Sequence, residues 1–88
     1  MNRGPAQSQT WKFAGVCVEG QPFVLDGVDV WSRKWRRVPG ETAEVKDPRY
    51  GQILRFGVYE IEGASGTIRV ASGECSANAY LFYVARAR

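Results

Sequence analysis

Turn chemistry punctuates this chain more strongly than anything else in it: ten glycines and four prolines fall within 88 residues. The pieces between them are rich in Val, Ile, Phe, Tyr and Trp, which suit half-buried pleated surfaces better than helices. An antiparallel β fold is therefore the direct reading. Trp11 to Val18 reads as a first strand, Glu19-Gly20 as a tight turn and Pro22 to Leu25 as a short strand that Pro22 pushes towards an edge. Asp26-Gly27 turns the chain again. Val38-Pro39-Gly40-Glu41 has the residues of a type II turn, and Asp47-Pro48-Arg49-Tyr50 those of a type I turn, which leaves Ala43 to Lys46 as a short strand between them.

The best-defined unit is a hairpin from Gln52 to Ser72 with Gly63 to Gly66 at its tip. A four-residue loop sets Glu62 opposite Thr67, Ile61 opposite Ile68, Glu60 opposite Arg69 and Tyr59 opposite Val70. Apolar residues then share one face and an opposite-charge pair occupies the other. Upstream, Leu54, Phe56 and Val58 are out of phase with Tyr59 and Ile61, which predicts either a bulge at Gly57 or a strand buried on both faces. Glu74 to Asn78 reads as a loop. Ala79 to Ala85 is the most apolar run and belongs in the centre of a sheet, with Arg86 and Arg88 as flanking charges.

Val28 to Val38 fits three readings. As one strand it places Asp29, Trp31, Arg33, Trp35 and Arg37 on a common face. As a helix it stacks Val28, Trp31, Trp35 and Val38, with Asp26 as N-cap and Pro39-Gly40 as stop. As a hairpin it breaks at Ser32-Arg33-Lys34. Extended structure is favoured, because Val and Trp are weak helix formers and the neighbouring segments are β. The fold class expected is all-β: a small open barrel or two-layer sandwich of about five to seven short antiparallel strands.

One domain is all that this length holds, and a chain so short buries only a little more than about 60% of its unfolded surface. Residues 1–10 read as a polar leader and 11–88 as a single β domain. The leader has no apolar h-region, and no stretch approaches the roughly 20 apolar residues of a membrane helix. With no export signal, Cys17 and Cys75 are expected to be reduced thiols in a cytoplasm rather than a disulfide.

The strings Val45 to Gln52, Phe56 to Ile61, Ala71 to Asn78 and Tyr80 to Tyr83 together resemble short uncharacterised bacterial proteins of unknown function. The likeness covers about the C-terminal half and implies a bacterial or phage source. It brings no activity, cofactor or catalytic residue with it.

No His is present, so the usual general base is missing, and two thiols do not close a zinc site; no cofactor and no metal are expected. Cys75, read in a loop, is a remote candidate for a cysteine-dependent enzyme, whereas Cys17 between two valines reads as a small buried hydrophobe. Glu60 and Glu62 share a face but are read as structural, because Glu60 has Arg69 across the strand.

Function points instead to Trp31, Arg33, Lys34, Trp35, Arg36 and Arg37. Those four cations account for the basicity, since removing them takes the formal charge from +3 to −1 (3 − 4). A basic segment with Trp and Arg suits an acidic protein surface, because those residues are enriched at binding hot spots. The same pattern suits single-stranded nucleic acid, with cations following phosphates and indoles stacking on bases. The first expectation is thus a non-catalytic binding or adaptor domain with an acidic protein partner, and the alternative is a single-stranded nucleic-acid binder. No membrane partner is expected, and a homodimer is compatible with both readings.

Overall fold

The computed structural model describes residues 10–85. Seven antiparallel strands appear among them: β1 (Trp11–Val18), β2 (Val24–Leu25), β3 (Val28–Asp29), β4 (Trp35–Lys46), β5 (Ile53–Glu62), β6 (Thr67–Ser76) and β7 (Ala79–Ala85). Five form one sheet in the order β1-β7-β6-β5-β4, while β2 and β3 form a separate hairpin. The fold is all-β, and the sheet is not closed into a barrel. Among the described residues, no helix is long and apolar enough to cross a membrane. The leader and the flanking cations Arg86 and Arg88 fall largely outside the described residues, with only Thr10 included.

The β5–β6 hairpin has the register that its cross-strand pattern predicts, from Glu62 opposite Thr67 to Tyr59 opposite Val70. Ile61, Ile68, Tyr59 and Val70 join one apolar cluster, and Arg69 reaches Glu60 at 3.4 Å on the other face. β7 lies between β1 and β6, as its apolar run requires. It is buried on both sides: Phe82 joins Cys17, Val30, Ile61 and Val70 on one face, while Leu81 and Tyr83 join Ala43, Val45, Val58 and Ala71 on the other.

That second cluster exists because the sheet coils. β4 and β7 are separated by two strands, yet the Tyr83 hydroxyl donates to the Lys46 carbonyl at 2.7 Å. Curling of that order is what strand twist accumulates over long strands, and β4 has 12 residues. Leu54, Phe56 and Val58 face this concave side and Tyr59 and Ile61 the opposite one, so β5 is buried on both faces and Gly57 pairs in register without a bulge.

Five local expectations need correction. Pro39-Gly40 does not end a strand. Trp35 to Arg37 and Thr42 to Lys46 both pair with β5, so the turn chemistry is absorbed as a bulge in which 38–41 stand opposite Val58 alone, with Gly40 at φ +75°. The Arg37 guanidinium fills this bulge, donating to the carbonyls of Val38, Glu41 and Val58. Val28 to Val38 is neither one strand, a hairpin nor a helix across its length: β3 is followed by a 3-10 turn over Val30–Ser32 and then by the start of β4. Asp29, not Asp26, caps that turn, accepting from the Trp31 and Phe23 backbone N–H groups. Glu74 to Asn78 is not a loop, because β6 continues to Ser76 with Cys75 as a one-residue bulge, and only Ala77 and Asn78 turn the chain. Pro22 lies before a β2 of two residues, Val24–Leu25.

Asp26 instead ties the small hairpin down. It sits at φ +47° beside Gly27 at +76°, the pair of positive values a tight two-residue hairpin turn demands. Its carboxylate accepts from the Ser65 backbone N–H and hydroxyl, and its carbonyl from the Ala64 N–H. The β2–β3 arm is thereby docked over one end of the sheet face that carries Phe82 and Ile61.

Candidate binding groove

Beyond the docked arm the sheet face is open, and a groove of about 510 Å³ lies there. Trp31, Arg33 and Trp35 line one side; Tyr59, Ser72, Gly73, Glu74 and Tyr80 complete it. Ser72, opposite Phe82 on this face, keeps the floor low because it carries little side chain. Each wall has a local cause. Val30, fully buried, anchors the 3-10 turn, and that turn holds Trp31 out over the sheet. Trp35 opens β4 and turns inward, its indole N–H donating to the Val30 carbonyl at 2.8 Å.

The two indoles stack with centroids 6.0 Å apart and planes 20° from parallel. Trp35 also meets Tyr59 and Phe82 edge-on, at 5.5 and 5.2 Å, so it belongs to the core as much as to the groove. Among the described residues Trp31 meets only Tyr80 in this way besides its stacking partner, and it remains 36% exposed. Burial pushes the Cys17 thiol up, with the Trp31 side chain acting the other way.

The four cations do not form one patch. Arg36 points to the other face of the sheet, where it bonds Glu60 at 3.2 Å and Glu62 at 3.5 Å. Arg37 is spent on the bulge carbonyls and lies over the Tyr59 ring, 5.6 Å from its centroid. Arg33 lines the groove and Lys34 is exposed beside it, and neither has an ion-pair partner among the described residues. Of the six residues singled out in the sequence, Trp31, Arg33 and Trp35 line the groove, with Lys34 next to them. Tyr59, Ser72, Gly73, Glu74 and Tyr80 were not singled out. Tyr59 was legible from the hairpin register, which puts it on the Ile61 face. Glu74 and Tyr80 depend on the bulge at Cys75, for which the sequence has no local signal.

Cys75 lies elsewhere. It packs against the concave cluster and lines a hollow of about 220 Å³ with Asp47, Arg49 and Tyr50. Asp47 is 2% exposed and takes the Arg49 guanidinium in a two-point contact, at 3.1 and 2.9 Å. That bond, reinforced by the Arg49 and Tyr50 backbone N–H groups, holds the Asp47 carboxyl down at about 2 against a usual 3.8. A carboxyl with a lowered native pKa stabilises the fold above its unfolded value and loses that contribution as pH falls through the native one. Stability should thus drop between about pH 4 and pH 2. Urea unfolding midpoints across that range should flatten in Asp47→Asn, and an unchanged acid profile would remove Asp47 from the explanation.

Comparison of the chain with protein-family models, with curated proteins and with solved structures finds no match. The functional reading therefore rests on the groove alone.

Proposed function

We propose that this is a non-catalytic binding module that holds an extended segment of a partner protein in the groove under Trp31. The carrying observation is the composition of the groove: four aromatic rings form its walls, while Arg33 and Glu74 put both signs of charge at its sides. Aromatic surface with a few polar groups of mixed sign suits a peptide, whose apolar side chains bury against the rings while its own charges find partners. Arg33 and Lys34 favour an acidic residue in that segment. A displayed peptide library selected on the folded protein should enrich sequences that combine an acidic residue with aromatic or aliphatic ones. Failure to enrich any sequence, together with tight binding of oligothymidine, would overturn this reading.

The exposed indole stack supports a second reading, single-stranded nucleic acid, because a base can stack on Trp31. Of the four cations in that segment, Arg33 and Lys34 are then left to meet phosphates. Two contacts at roughly −0.7 each give a log-log salt slope of about −1.4, weak for a polyanion binder. Cys17 and Cys75 are free and belong to different clusters, which supports a reducing, cytoplasmic setting.

A further inference from the structure

We infer that two copies of this chain pair through the free edge of β1, antiparallel about Val16, to make one continuous ten-stranded sheet. β1 closes one side of the five-stranded sheet and, among the described residues, pairs only with β7. An edge strand of eight residues presents a row of backbone donors and acceptors, and it needs charges, proline or cover to stay unpaired. β1 has no proline and a single charge, Lys12. Its three exposed apolar residues, Phe13 at 37%, Val16 at 51% and Val18 at 40%, stand opposite Tyr83, Leu81 and Ala79, all on the concave side.

The bulge fixes the self-pairing register. Ala14 is the extra residue between Phe13 and Gly15 in the ladder with β7. When Ala14 is set aside, an antiparallel pairing centred on Val16 places Gly15 opposite Cys17, Phe13 opposite Val18 and Lys12 opposite Glu19 of the second copy. Every one of these pairs shares a face. Phe13, Val16 and Val18 of both copies then form one apolar stripe, and Lys12 near one end of the strand meets Glu19, the first turn residue beyond its other end, as opposite charges. Neither Lys12 nor Glu19 has an ion-pair partner within the described residues of its own chain. Directly opposed unlike charges stabilise strand pairing and like charges oppose it, so the sequence is complementary to itself in this register. A two-fold axis normal to the sheet also leaves both Trp31 grooves on the same side, although the pairing does not depend on what the grooves bind.

Sedimentation velocity on the whole chain tests this. The protein should sediment as a dimer at about 100 μM. Lys12→Glu and Glu19→Lys, each alone, should weaken dimerisation roughly tenfold, because each puts like charges together twice. An equimolar mixture of the two variants should restore the dimer, because every contact across the axis is then between opposite charges; the recovery also shows that both variants fold. A wild-type monomer at that concentration would overturn the inference, as would a dimer indifferent to both substitutions or a mixture that fails to recover.

Discussion

Trp35→Ala is expected to cost about 3–4 kcal/mol of folding stability, and Trp31→Ala only about 1 kcal/mol. The two indoles look equivalent in sequence, four residues apart in one basic segment. Trp35, however, packs edge-on against both Phe82 and Tyr59 and bonds the Val30 carbonyl, so its removal opens a cavity and leaves that carbonyl without its donor. Trp31 is 36% exposed and gives up one stack and one edge contact. For a small domain the larger loss is a major part of the whole margin. Urea unfolding at low temperature measures both, and equal losses would mean that the indoles share the load.

A second large effect is expected at a glycine. A methyl group at Gly73 would overlap the Cδ1–Cε1 edge of the Phe56 ring. Phe56 in turn tilts against Tyr83, with centroids 6.1 Å apart, so the ring cannot lift without unpacking the concave cluster. Gly73→Ala should therefore cost about 2–3 kcal/mol. Adding Phe56→Leu should recover part of that loss, because the two substitutions act on one contact. Additive losses in the double variant would place the strain elsewhere.

Much of the fold was legible because it is written in local rules. β1 spans Trp11–Val18 in both the sequence reading and the structure, and the Glu60–Arg69 pair fixed a hairpin register that no other alignment satisfied. Pro39-Gly40 misled because the same two residues serve a turn between strands and a bulge within one. What separates those outcomes is the pairing of β5 with both halves of β4, a non-local fact. The segment from Val28 to Val38 resisted assignment for a related reason. Its 3-10 turn is held by the Asp29 cap and by burial of Val30 beside Ile61 and Phe82, more than thirty residues away.

The groove was half legible. Clustering of Trp and cations marked the segment, but the sequence treated four cations as one patch. Alternation along β4 sends Arg36 to Glu60 and Glu62 on the far face, and Arg37 folds into the bulge that Pro39-Gly40 creates. What remains, Arg33 and Lys34 beside a wall of rings, is a different kind of surface from a basic patch. It favours a mixed peptide over a polyanion.

The most direct test of that conclusion is calorimetric titration of a library-selected peptide into the wild type and into Trp31→Ala at matched salt. Because Trp31 contributes little to the fold and the outer part of one wall to the groove, the account predicts that Trp31→Ala remains folded and binds at least about tenfold more weakly, a loss of about 1.4 kcal/mol or more. A folded Trp31→Ala protein that binds the peptide as tightly as the wild type would contradict it.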